Sequence, residues 1–338
     1  MDISAPKGDP PSPLDPASIP NTILTPLTSP PGYSASDIPD LTGKVAIVTG
    51  ANSGLGYITA LELARQHATV FMGCRSADRG TQAVEQVRAE TGNANVHLLK
   101  LDLADLAQTR EAARAFAVKG LPLHILANNA GMPGTPFSLT NDGVEKIFAV
   151  NHLGPFVFTT ELLSILVKSA PSRIVNVASS VHTAANGIAF DRINDPNVSQ
   201  LARYPQSKLA NILFANALDR RVGGEGVYVN SIHPGTVATE MWNNDNKTWL
   251  GRLISPLVLL ASRTLFYTPK DGALTQLYVA TAPIIEMAKV RAKYFVPIGV
   301  EHTTGLSACA RDDDLAERLW AFSEELVEEK IGRGQPVV

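Results

Sequence analysis

The sequence predicts an α/β protein: one doubly wound parallel sheet with helices on both of its faces. Three observations lead there. Short apolar runs recur along the chain, amphipathic stretches separate them, and the runs are continuously rich in Val, Ile and Leu. Strands covered on both faces look like this, whereas half-exposed strands alternate with polar residues. The predicted strands are KVAIVTG (44–50), TVFMGCR (69–75), VHLLKLDL (96–103), LHILANNAG (123–131), RIVNVAS (173–179), VYVNSIHPG (227–235) and KYFVPIG (293–299). SGLGYITALELARQ reads as a helix after the first. RGTQAVEQVRAETG reads as another after the second, stopped by Gly92.

The rest of the chain is divided by composition. Residues 1–36 pack prolines among few large apolar side chains, too little surface to offset the entropy of ordering, so a disordered N-terminal extension with PxxP spacings is expected. Residues 37–330 form the folded domain in this reading, and 331–338 a short C-terminal tail. The 338 residues are 45% hydrophobic and 18% charged with a net charge of −3, which argues against a nucleic-acid partner. Cys74 and Cys309 have neither metal-ligand nor disulfide-framework spacing, so no metal and a reduced, cytoplasmic setting are expected. No secretory signal and no apolar run of about 18 residues is read from the pattern.

The first predicted strand runs into TGANSGLG. A strand that turns this tightly into a helix needs residues without a Cβ, so that backbone N–H groups and the positive helix end meet a pyrophosphate. Gly50, Asn52, Ser53, Gly54, Leu55 and Gly56 are the candidate contacts. About 20 residues beyond such a turn an acid would bond a ribose 2′-hydroxyl. Here the second strand ends in Gly73-Cys74-Arg75, with no acid before Asp78. An arginine suits a 2′-phosphate, so the expected cofactor is NADP(H), with Arg75 as a solvated surface cation the plainer alternative.

YPQSK (204–208) places Tyr204 and Lys208 four residues apart, on one face of a helix that YPQSKLANILFANAL predicts, with Pro205 near its start. An ammonium beside a phenol is expected to favour the tyrosinate and bring the phenol toward a working pH for proton exchange with a carbonyl or alcohol oxygen.

With those motifs stand LDL containing Asp102, NNAG (128–131), VNHLG (150–154), NVASS (176–180) and HPGTVATE (233–240), in that order. Over about residues 37–330 the chain resembles the short-chain dehydrogenase/reductase family, most closely its retinol-dehydrogenase-like branch and similar fungal reductases. The resemblance implies a single Rossmann-type domain and an NADP(H)-dependent interconversion of ketone or aldehyde with alcohol. It implies catalytic roles for Asn151 (a water-holding proton relay), Ser179, Tyr204 and Lys208. It also implies that Asp102 meets the adenine, Asn129 lies near the ribose, Lys208 bonds the nicotinamide ribose, and Val237 and Thr239 anchor the carboxamide. Plainer readings are a strand-end hydroxyl for Ser179, a helix cap for Asn151 and an N-cap for Asp102. His152 and His182 read as structural. A homodimer or homotetramer, paired through the Tyr204 helix, is implied by resemblance only.

Between residues 240 and 270, Trp242, Trp249, Leu257 and Phe266 predict an apolar substrate lid, hence a hydrophobic or bulky substrate, with specialised metabolites among the candidates. LISPLVLLAS, flanked by Arg252 and Arg263, is alternatively a peripheral membrane contact, as in a retinoid- or steroid-type dehydrogenase. A catalytically silent NADP-binding sensor or scaffold and a sugar-nucleotide epimerase are the other classes weighed.

Overall fold

In the computed structural model, residues 32–236, 267–302 and 304–334 are described. The strands are β1 (Val45–Thr49), β2 (Thr69–Cys74), β3 (Val96–Lys100), β4 (Ile125–Asn128), β5 (Ser172–Val177), β6 (Val227–Ile232), β7 (Tyr294–Val296) and β8 (Val300–Glu301). All seven predicted strands are present. β8 is an addition, too short and too exposed to carry an apolar signal. The sheet order is β3-β2-β1-β4-β5-β6-β7-β8. Every pairing is parallel except β7 with β8. The order reverses between β1 and β4, which opens a crevice at the carboxyl ends of the strands, where dinucleotides bind in Rossmann-type folds.

The long helices are α1 (Gly54–Arg65), α2 (Ala77–Thr91), α3 (Leu106–Ala117), α4 (Gly154–Lys168), α5 (Gln200–Val222), α6 (Pro269–Thr281) and α7 (Asp313–Ile331). One core lies between the sheet and α1, α2 and α6, around Val48, Met72, Val175 and Leu277. The other lies under α3, α4, α5 and α7, around Phe116, Leu126, Phe158 and Leu213. Two buried faces are why the strands read as continuous apolar runs. α2 ends as expected on Gly92, whose φ of 71° satisfies the left-handed cap.

Several expectations are adjusted. α5 begins at Gln200, so Pro205 lies inside the helix rather than at its start. The missing N–H leaves the Leu201 carbonyl without its usual donor, a loss water can meet because Leu201 is 74% exposed. Lys146–Lys168 forms one helical stretch, with a π-helical segment at Ala149–Leu153. At 23 residues it is long and apolar enough to cross a membrane, but 72% of its apolar window is buried inside the protein, as in a core helix. The folded part starts before residue 37: Tyr33 packs edge-on against Tyr278 at 5.2 Å and bonds Thr281 Oγ1 at 2.6 Å. The rest of the proline-rich segment, residues 1–31, lies outside the described residues.

α7 covers α5. Trp320 is buried against Phe156 and Phe214, the Arg221 guanidinium stacks on its ring at 4.0 Å, and Arg220 and Arg221 pair with Asp313 and Glu317 at 2.6–2.8 Å.

Candidate active site

Because β1–β7 run parallel, their carboxyl ends bring distant parts of the sequence to one edge. β1 delivers Gly50, at φ 67°, whose N–H donates to the Gly73 carbonyl at 2.8 Å. Ser53, in extended conformation, precedes α1 but makes no side-chain cap, and no acid lies in the helix's first turn. The N–H groups of Gly54, Leu55 and Gly56 therefore have no side-chain acceptor from Ser53. A Cβ on Gly56 would stand 2.5 Å from the Gly50 carbonyl oxygen and would also run into Asn129 Nδ2. Only glycine lets helix and turn meet so closely. Asn52 is half-buried on the same turn.

Asn129 does not point freely toward the crevice: its Nδ2 donates to the Thr49 carbonyl at 2.8 Å. Thr49 Oγ1 accepts from the N–H groups of Asn129 and Ala130 at 3.0 and 2.9 Å. Thr49 thus ties the end of β1 to the end of β4, a role that its place in an apolar strand gave no reason to expect. Arg75 is exposed at the end of β2, and Lys100 Nζ donates to its carbonyl. Asp102 is half-buried just beyond β3 and accepts from the Ala104 N–H at 3.0 Å. The N-cap weighed for Asp102 belongs instead to Asp105, which accepts from Gln108 N at 2.9 Å.

These residues fit a dinucleotide. They combine an N-terminal helix end free of side-chain capping, a turn kept clear of side chains by Gly50 and Gly56, and a guanidinium at the position where an acid would repel a 2′-phosphate. Val237 and Thr239, and residues 240–266 of the expected lid, lie outside the described residues.

The catalytic candidates converge from three elements. Asn151 sits in the π-helical segment, a distortion frequent at functional sites, and is not a cap. Its Oδ1 accepts from Met132 N at 2.7 Å, while Nδ2 donates to the Met132 carbonyl at 3.0 Å and to Ser207 Oγ at 2.9 Å. Ser207 Oγ in turn donates to the Tyr204 carbonyl at 2.8 Å. Ser179, just past β5, caps a short 3₁₀ turn (Ser180–Ala184), accepts from Val181 N at 3.4 Å, and its hydroxyl is close enough to the Tyr204 phenol to influence its proton. Lys208 is buried and donates from Nζ to the Val177 carbonyl at 2.9 Å, which also accepts from Asn211 Nδ2 at 3.1 Å. A Cβ on Gly131 would lie 3.3 Å from both Asn151 Oδ1 and Lys208 Nζ, so NNAG forms the floor on which these groups meet.

The electrostatics differ from the sequence-based expectation in one respect. Burial raises the Tyr204 phenol above its ordinary value, opposed only in part by the neighbouring Ser179 hydroxyl. The Lys208 ammonium does not lower it: Nζ is turned to Val177 and lies 5.9 Å from the phenol ring centroid. Burial pushes Lys208 itself down to about 8. In the protein alone, then, Tyr204 is a neutral proton donor beside a lysine that is still largely cationic at neutral pH. His152 is fully buried, is held neutral by burial and is bonded to Ser323 Oγ at 2.9 Å, in keeping with a structural role.

The family model for the short chain dehydrogenases matches residues 44–249. The chain belongs to that family. Among curated short-chain dehydrogenases and related oxidoreductases, it is 38% identical over 309 residues to an uncharacterized oxidoreductase of Schizosaccharomyces pombe, covering 88% of this chain and 89% of the relative. It is 39% identical over 289 residues to human retinol dehydrogenase 11, covering 85% and 86%. Among solved structures, a protein from Beutenbergia cavernae with bound NADP superposes with a TM-score of 0.60 at 25% identity, covering 76% of this chain and 96% of that one. As a short-chain dehydrogenase the chain is an oxidoreductase that works with a nicotinamide dinucleotide.

Proposed function

We propose that this short-chain dehydrogenase uses NADP(H) to interconvert an alcohol with a ketone or aldehyde on a hydrophobic or bulky substrate. The observation that carries the reading is the buried Tyr204 phenol beside the Ser179 hydroxyl, with Lys208 Nζ and Asn151 Oδ1 both brought against Gly131. Bound NADP(H) supplies or accepts the hydride at its nicotinamide ring.

In the reducing direction, Tyr204 Oη gives its proton to the carbonyl oxygen as that oxygen gains charge, and Ser179 Oγ donates a second hydrogen bond to it. Lys208, its Nζ held at the Val177 carbonyl, bonds the cofactor ribose. Asn151 holds the Met132 backbone and so shapes the path by which a water returns the proton. Gly50–Gly56 and the α1 amides take the pyrophosphate, and Arg75 takes the 2′-phosphate. A phenol held above its ordinary value stays protonated at neutral pH, the form that proton donation to a carbonyl requires.

The retinol dehydrogenase names among the relatives support a retinoid-type carbonyl as the first substrate to try. Cysteines 74 and 309 are free thiols, which supports a reducing, cytoplasmic setting. With α7 laid along α5, a second copy would meet α7 rather than the bare Tyr204 helix.

The test is NADPH oxidation across aromatic, retinoid and aliphatic carbonyls, with Tyr204→Phe as the control. Loss of the phenol should lower kcat by about 10³-fold, since general acid catalysis contributes roughly 10²–10⁴, while NADPH binds as before. A Tyr204→Phe protein that keeps its turnover removes the assigned mechanism. A wild-type protein that binds NADPH but reduces nothing in the panel supports the sensor or scaffold reading instead.

A further inference from the structure

We propose that His182 is a positioning residue of this site: its imidazole fixes the Ser179 peptide, and through it the hydroxyl that meets Tyr204. The inference rests on the roles given above to Ser179 and Tyr204. His182 is fully buried in the turn that follows β5. Its Nδ1 lies 2.8 Å from the Ser179 carbonyl oxygen and its Nε2 lies 3.4 Å from the Ser307 backbone N. A backbone N–H can only donate, so Nε2 accepts and the ring proton sits on Nδ1, where it donates to Ser179. The same carbonyl also accepts from the His182 N–H at 3.1 Å. Backbone and side chain of one residue therefore grip one oxygen, and the Ser179 peptide plane cannot rotate without breaking both bonds.

The ring is held from its other sides. Tyr294 of β7 packs edge-on against it at 5.2 Å. His233, at the end of β6, and His302, after β8, are close enough to influence its charge, and Lys208 does the same to His233. Burial, with His302 nearby, holds the imidazole below its ordinary value and so neutral, which the two-bond arrangement requires. Ser307 precedes the turn Cys309–Arg311, which α5 holds through Asn216 Nδ2 donating to the Ala310 carbonyl at 3.1 Å. One histidine thus joins the catalytic turn to the chain leading into α7.

The two ring nitrogens have separate mimics. Asn places a donor where Nδ1 stands and leaves nothing at Nε2; Gln does the reverse; Leu supplies neither. Steady-state kinetics on the best carbonyl from the panel, with NADPH affinity from fluorescence titration, separate the roles. His182→Leu and His182→Gln should lose about tenfold or more in kcat, the scale of a small misplacement of a reacting group. His182→Asn should stay within about threefold of wild type on that scale, and NADPH affinity should be unchanged throughout. Should the Leu protein fail to fold, the Asn and Gln pair decides. A Leu or Gln protein with wild-type kcat, or an Asn protein no faster than the Gln or Leu protein, overturns the inference. Tyr204→Phe measured alongside keeps the two readings apart. If it retains turnover, the site assignment itself falls. If it is dead while His182→Leu is normal, only the role of His182 falls.

Discussion

Adding one methyl group at Gly56 should uncouple cofactor binding from the rest of the fold. The new Cβ would stand 2.5 Å from the Gly50 carbonyl oxygen and 2.9 Å from its carbon. Carbon–oxygen contacts settle at about 3.3 Å or more, so helix and turn must separate by roughly 0.8 Å at this contact. Gly50 has little room to retreat: its own Cβ position is 2.9 Å from Ala130 Cα, and its N–H is bonded to Gly73. The displaced group is backbone, so the strain should approach the upper end of overpacking, about 3 kcal/mol, seen as a Tm lower by roughly 6 °C or more. The amides that would hold the pyrophosphate move with it. Losing two charge-assisted bonds, at about 1.5–2 kcal/mol each, raises the Kd for NADPH about 100-fold or more. Fluorescence titration and thermal unfolding measure the two effects on one Gly56→Ala sample. Gly92→Ala is the matched control. Its φ is positive, at 71°, and nothing lies within 4 Å of the added carbon, so it should lose about 1 kcal/mol of stability and none of its NADPH affinity. A folded Gly56→Ala protein that binds NADPH like wild type would refute the placement of the pyrophosphate on this turn.

Replacing Arg75 by Ala should raise the KM for NADPH about 30-fold, the equivalent of one charge-assisted contact, and leave that for NADH nearly unchanged; an equal effect on both cofactors rejects the 2′-phosphate contact. Lys208 predicts a pH dependence of stability. Folded, it gives up its proton near pH 8 and, unfolded, near its ordinary 10.5. Between those values the unfolded chain binds more protons, so stability rises with pH; the gain is fully present above 10.5 and lost as pH falls through 8. From pH 8 to 10 the wild-type protein should gain about 2 kcal/mol relative to Lys208→Met, measured by denaturant unfolding at each pH. Parallel curves for the two proteins would show that the lysine is not buried as described.

The α/β class, the strand positions and the glycine turn were legible in the sequence because each is written in adjacent residues. KVAIVTG declares burial on both faces by its own composition, and TGANSGLG declares a tight turn by lacking side chains. Tyr204 and Lys208 were legible as a pair because a helix brings residues four apart onto one face. What the pair does to its own acidity was not legible. The expected lowering of the phenol assumed that proximity along a helix is proximity of charge to hydroxyl, whereas the fold turns Lys208 Nζ to a carbonyl on β5 and buries Tyr204. Desolvation depends on everything packed around a group, and most of that arrives from distant parts of the chain. The same holds for Thr49 bracing β4 and for His182 gripping Ser179 while taking a bond from residue 307. It holds as well for α7 closing over the helix that was expected to face a second copy. Local composition settled which residues turn, bend or hide from water; which polar atoms meet, and with what charge, was decided only when remote segments met at the carboxyl edge of one sheet.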